Sequence, residues 1–279
     1  MFGFEPNQKA ILHLTWMAFF LTFAAWFNLA PFNTTLMATE GLTEYQVRML
    51  MVANVALTIP ARVFIGSLVD RFGPKRVFVW ILLLAAGASF LFAAARTFNG
   101  LLASRLMMGV VGAGFVVGIK IIADWFPPQK MGTAQGLYAG WGNFGAAAAA
   151  FSLPPLAAFY SLDMGWRVAA GVSGLLCLIW SGVYHLWARD VPATVNPLRL
   201  GLEHSIPVSS RRDLWLQMIL LGPVYAAMGM LFWRLAEAVA PPLGSFGLEW
   251  AWVGIGAAYI WHAWVCFRFN QERLQKPPL

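Results

Sequence analysis

The chain has 279 residues, of which 59% are hydrophobic and 11% charged, whereas an ordinary soluble domain carries roughly 25% charged residues. A surface facing water needs more ionic side chains than that, so the composition excludes a soluble globular protein and points to solvation by lipid. The net charge of +7 is dispersed between apolar stretches and not gathered on one soluble face, which excludes a nucleic-acid partner and leaves the cations to set orientation in a membrane.

The opening segment MFGFEPNQK is polar, and the apolar run behind it is too long for a signal-peptide core, so the first helix is expected to be retained as a span. A hydrocarbon core about 30 Å thick requires about 20 mostly apolar residues per helix. Six stretches meet this before residue 190, at 12–33, 46–69, 76–95, 98–124, 132–160 and 165–188, and two more follow at 214–239 and 249–268. The expected fold class is therefore all-α, a polytopic membrane protein of about eight transmembrane helices. Turn chemistry at Gly73-Pro74, Asn99-Gly100, Pro127-Pro128 and Asp163 to Gly165 is expected to interrupt helix between them.

The stretch 191–213 is the long polar connection. It divides a six-helix block at 1–190 from two additional transmembrane helices and a tail at 214–279. With the N-terminus inside, twelve of the 19 Lys and Arg residues fall on the inner side, against Arg48, Arg96 and Arg167 on the outer side. The positive-inside rule then places both termini, and the linker, in the cytoplasm, as expected of a multi-pass protein of a bacterial inner membrane. Cys177 and Cys266 lie in apolar segments without ligand spacing, and His13, His185 and His262 are scattered over different helices. No metal, haem or other cofactor is expected.

Between the second and third stretches stands Gly66-Ser-Leu-Val-Asp70-Arg71-Phe-Gly73-Pro74-Lys75-Arg76. Asp70 at a helix C-terminal end opposes the helix dipole and is expected to need a cationic partner. The string resembles the loop signature of the major facilitator superfamily. That resemblance implies a conformational latch formed by Gly66, Asp70, Arg71, Gly73, Lys75 and Arg76. Other matches follow in order. Thr15-Trp16 through Phe20, with Trp26-Phe27-Asn28 and Pro31, looks like the first helix of the nitrate/nitrite porter family, as do Gly41 to Gln46 and Asn54 to Arg62. Arg105 with Gly109 and Gly112 matches the superfamily's buried-arginine pattern, which implies a gating or structural role for Arg105 and Gly109. Gly136-Leu-Tyr-Ala-Gly140-Trp-Gly142-Asn143-Phe-Gly145 is similar to the glycine-rich signature of the nitrate/nitrite porters. Together the matches cover residues 12 to about 190 and imply a six-helix bundle of major-facilitator type.

Arg62 lies about seven residues, or roughly 10 Å, inside the expected cytoplasmic end of its helix. A cation at that depth is costly unless it faces a cavity or a partner. Its planar fork of donors suits a small planar oxyanion, and the resemblance assigns the family's substrate-binding arginine to this position. Asn143, near mid-membrane, is implied as a second substrate contact, with Gly142 beside it; the glycines of this stretch also serve packing and helix bending. Lys120 and Asp124, four apart on one helix, are expected to pair.

Full-length members of the family have about twelve helices in two halves, with the anion held between them. The expected eight helices include no second latch string, and within the apolar spans of the last two Arg234 is the only cation that could substitute for the second half's arginine. Membrane lipid surrounds the bundle, but the polar inner face of the six-helix block is expected to need a protein cover: a homodimer, a separately encoded second half, or the last two helices. The expected function is non-enzymatic: a secondary transporter, or half of one, moving nitrate or nitrite by alternating access. The alternative is a non-transporting scaffold or accessory subunit derived from such a transporter, for example in a specialised membrane such as the magnetosome. No Asp or Glu stands at mid-membrane in the first six helices, which leans toward anion exchange over proton symport.

Overall fold

Residues 3–191 are described by the computed structural model, and among them every regular element is helical. The elements run α1 Pro6–Trp26, a 3-10 turn Ala30–Phe32, α2 Asn33–Glu40, α3 Glu44–Ala56, α4 Thr58–Phe72, α5 Pro74–Ala94, α6 Phe98–Val111, α7 Gly114–Trp125, α8 Pro128–Ala157 and α9 Leu162–Trp187. The expected six spans correspond to α1 with its 3-10 turn, α3 with α4, α5, α6 with α7, α8, and α9. Five helical runs, Pro6–Glu40, Glu44–Phe72, Pro74–Ala94, Phe98–Trp125 and Leu162–Trp187, are long and apolar enough to cross a membrane. The remaining one, α8, is 30 residues, about 45 Å, and glycines and amides lower its hydropathy. The linker beyond residue 191 and the expected helices at 214–239 and 249–268 lie outside the described residues.

Helix starts follow local chemistry. Thr43 and Gln46 form a reciprocal capping box at α3, with the Gln46 amide N–H on Thr43 Oγ1 at 3.2 Å and the Thr43 N–H on Gln46 Oε1 at 2.9 Å. Pro74 and Pro128 open α5 and α8, where a missing N–H costs nothing. Gly73, at φ +84°, makes the turn between α4 and α5. Two expected interruptions are corrected. Asn99-Gly100 lies in the first turn of α6, because Thr97 already caps that helix by accepting the Gly100 N–H at 3.3 Å. Asp163 to Gly165 lies in the first turn of α9, where an acidic side chain complements the dipole.

Two spans break inside the bundle. Pro60, in the first turn of α4, has no N–H to continue the α3 ladder, and the chain turns at Leu57. The other break falls at Gly112-Ala113, between α6 and α7. Thr58 Oγ1 donates to the carbonyl of Gly109 at 3.0 Å, so the breaks stand at the same depth and are bonded across.

Packing is close where side chains are small. α1 lies against α8 and α9, α5 against α9 and α6, and α3 against α6. A Cβ on Gly142 would lie 1.7 Å from a ring carbon of Phe19, and one on Gly145 would lie 2.2 Å from the Phe20 carbonyl oxygen. These two glycines let α8 meet α1 almost backbone to backbone. At one end of the bundle the Gln8 amide donates to Trp125 O at 3.0 Å, the Trp125 indole to Arg189 O at 3.2 Å, and Lys130 to Gly3 O. At the other end Arg167 donates to Glu40, to Asp163 at 3.1 Å, and to the carbonyls of Ala93 at 2.9 Å and Ala95 at 2.6 Å. Among the described residues, Lys130 and Arg189, assigned inside, and Arg167, assigned outside, therefore stand at opposite ends of the bundle.

Candidate functional site

Arg62 is the fifth residue of α4, ten residues before its end at Phe72, hence about 15 Å from that end. It stands deeper than expected, because the helix runs on past residue 69. Its side chain is partly buried, its Nε is shut away from solvent, and that nitrogen has no hydrogen-bond partner. No carboxylate among the described residues pairs with it. A guanidinium inside a span with an orphaned donor is an unstable arrangement that an arriving acceptor relieves.

Asn143 sits at the middle of α8, fifteen residues from its start. It is exposed, and it spends one amide N–H on the carbonyl of Ala139 at 2.7 Å, leaving the second N–H free to donate elsewhere. Gly142 faces the other way, buried under Phe19, and its place is the α1–α8 seam. Arg62 and Asn143 are not in contact. Each belongs to a helix that packs on α7.

Where α1, α7 and α8 meet, Tyr138 stacks with Phe19 and Phe115 at ring-centroid distances of 5.1 and 6.0 Å, and Phe19 meets Phe115 tilted at 5.5 Å. Tyr138 is fully buried, and its hydroxyl donates toward the carbonyls of Phe115 at 3.2 Å and Gly114 at 3.4 Å, at the start of α7 beside the break. Phe115 does not stand out in the sequence, since an aromatic among 22 Phe and six Tyr signals only apolar burial, and Tyr138 falls inside the glycine-rich signature without a sign of its partners. A shallow groove of about 380 Å³ on α8 is lined by Gly136, Leu137, Gly140, Trp141 and Phe144, with no cation among these residues.

The residues expected to form a latch flank the turn at Gly73, with Gly66, Asp70 and Arg71 on α4 and Lys75 and Arg76 on α5. Gly66 has open space beside it, and Arg71 lies over the Phe72 ring at 5.3 Å. Asp70 is exposed and pairs with no cation among the described residues, so the expected partner is absent there. What binds the turn is a residue outside the motif. Asp190 accepts the Lys75 backbone N–H at 2.9 Å, and its Oδ2 lies 3.1 Å from where a Gly73 Cβ would be. A carboxylate over the first turn of α5 is favourable to the helix dipole, and it holds the segment after α9 on the latch. Lys75 is partly buried and Arg76 exposed.

Arg105 is fully buried on α6. Its Nη1 donates to Asn28 Oδ1 at 3.0 Å and its guanidinium lies 3.8 Å above the Phe92 ring. A Cβ on Gly109 would come 3.1 Å from the Ala53 carbonyl oxygen, so this glycine sets the approach of α6 to α3. The Trp26 indole donates to Asn54 O at 2.8 Å, and the Asn54 amide returns a bond to Trp26 O at 3.0 Å, closing the first span on the second. Lys120 and Asp124 pair as expected. Arg234 lies outside the described residues.

The chain also has relatives among known proteins. The Major Facilitator Superfamily profile matches residues 15–274. The "Nitrate/nitrite transporter NrtP" of Nostoc punctiforme is 40% identical over 98% of this chain and 55% of its own length. A protein of the same name from Picosynechococcus is 34% identical, again over 98% of this chain and 55% of its own. The "Probable nitrate transporter NarT" of Staphylococcus aureus is 33% identical over 56% of this chain and 39% of its own length. The chain spans about half the length of the curated relatives it matches most fully.

Proposed function

This chain belongs to the major facilitator superfamily of multi-pass membrane proteins, and from that premise we propose that it moves nitrate or nitrite across a bacterial inner membrane. It acts as a secondary transporter, or as one half of one, with both termini in the cytoplasm. The observation that carries the proposal is the orphaned donor of Arg62, a cation within a span and without a carboxylate among the described residues. A small planar oxyanion is the acceptor that its fork of N–H groups fits. Asn143 donates from α8, adding a hydrogen bond without adding charge. The relatives named as nitrate/nitrite transporters support this substrate class over the scaffold reading.

In alternating access the latch turn between α4 and α5 would break and re-form as the site opens to either side. A covering surface is needed to close a cavity over Arg62. Val63 and Phe64 on α4 and Phe144 on α8, all exposed, flank the two polar residues and would seal against it. The test is nitrate and nitrite flux in proteoliposomes, with the chain alone and with any neighbouring membrane protein. Arg62→Ala is expected to abolish saturable uptake while the protein still inserts and purifies normally. Arg62→Lys, which keeps the charge and loses the fork, is expected to lower apparent affinity about tenfold or more. Saturable uptake that persists in Arg62→Ala removes the proposed role.

A further inference from the structure

Arg105 presents a second, differently built cation. Its guanidinium is fully buried, and no carboxylate among the described residues reaches it. The acidic side chains at that end of the bundle are committed elsewhere: Glu40 to Arg167, Asp163 to Arg167 and Arg96, and Glu44 to Arg48. Phe92 covers one face of the guanidinium at 3.8 Å, which compensates part of the charge but accepts none of the in-plane N–H groups. In the plane, Nη1 reaches Asn28 Oδ1 at 3.0 Å and Nε makes a long contact of 3.4 Å to Ser104 Oγ, whose own hydrogen goes to Leu101 O at 2.6 Å. Nη2 has no partner.

The Asn28 side chain repeats the pattern. It is fully buried, its oxygen is taken by Arg105, and its Nδ2 has no partner. Turning the amide over would set two donors against each other, so the orientation follows from the arginine. Two adjoining side chains therefore hold orphaned N–H groups and one positive charge without a counter-charge among the described residues. Leaving such donors unmade is costly, and leaving the charge bare is costlier. Water would accept from the donors and leave the charge.

We propose that Arg105 and Asn28 form an occluded site for a small monovalent anion of chloride or nitrate size, separate from Arg62. The two arginines are axially distinct. Thr58 is bonded to Gly109 across the breaks, Arg62 follows Thr58 by one turn toward the Lys75 end, and Arg105 precedes Gly109 by one turn toward the Arg167 end. Their Cα atoms are separated along the bundle by about 12 Å. The anion at Arg105 is a counter-ion that packs the end of α1 on α6, with no exposed path of its own.

The experiment isolates this site from the transport site by using Arg62→Ala as the parent. Its unfolding temperature in detergent is measured in chloride, in nitrate and in gluconate at constant ionic strength. Chloride or nitrate is expected to raise it by about 3 °C or more. Asn28→Asp, which supplies a carboxylate beside the guanidinium, is expected to abolish that dependence while the protein in gluconate is at least as stable as the parent. Arg105→Gln, which removes the charge, loses the dependence by a second route. An Arg62→Ala parent indifferent to the anion, or one whose anion response survives both substitutions, overturns the proposal. A response present in the native chain and lost in Arg62→Ala assigns all anion binding to Arg62, upholding the transport reading and sinking this one.

Discussion

Arg62, Arg105 and Arg167 carry the same side chain under three different regimes of compensation. Arg167 is 5% exposed, contacts two carboxylates and two carbonyls, and lies 4.2 Å over Trp166. Arg105 has an amide and a ring, and Arg62 has an unmet donor. Only the regime separates a structural knot from a binding site, and a sequence does not print it. By charge counting Arg167 is one more outer cation; in the fold it ties the end of α2 to the end of α5 and the start of α9. Arg167→Met should therefore destabilise the protein by about 3–5 kcal/mol, because Glu40 loses its partner at a largely buried site and Asp163 keeps only its contact with Arg96. Thermal unfolding in detergent measures this, and adding Glu40→Gln should recover part of the loss. A single variant as stable as the native chain would show that the knot is redundant.

At the scale of elements, α8 shows which glycines matter. A methyl group added at Gly140 would meet nothing within 4 Å, whereas a Cβ on Gly145 would strike the Phe20 carbonyl oxygen at 2.2 Å. Backbone cannot swing aside as a ring can. Gly145→Ala should therefore push α8 off α1 and cost about 1–3 kcal/mol, while Gly140→Ala should be neutral or stabilising by up to about 1 kcal/mol. Equal effects from the two on thermal unfolding would contradict the seam. The paired breaks give a second prediction. Thr58→Val removes the bond to Gly109 O and keeps the shape, so it should cost about 1 kcal/mol and raise hydrogen exchange of the amides around Leu57 and Ala113. Both breaks are invisible to a hydropathy window, which sees continuous apolar runs at 46–69 and 98–124 because the side chains stay apolar where the backbone turns.

For the whole molecule, the hydrogen bonds and ion pairs sort the cations to two ends, with Lys75, Lys130 and Arg189 at one and Arg96 and Arg167 at the other. Single cysteines at Lys130 and Arg96, in a Cys177→Ser, Cys266→Ser background, should label from opposite sides, Lys130 from the cytoplasm. Labelling of both from one side would refute the topology. The six spans and the charge bias were legible in the linear chain because lipid imposes length and polarity on every helix regardless of its neighbours. The turn at Gly73 and the glycine-rich stretch of α8 were legible because their chemistry is local. Asp190 on the latch, Asn28 on Arg105 and Tyr138 on the α7 start were not, since they join residues 115, 77 and 23 positions apart. Sequence alone determined that this is a helical membrane protein and where its polar exceptions lie. Tertiary structure decided which exceptions are satisfied and which are left without a partner, because a hydrogen-bond partner is a matter of distance in space.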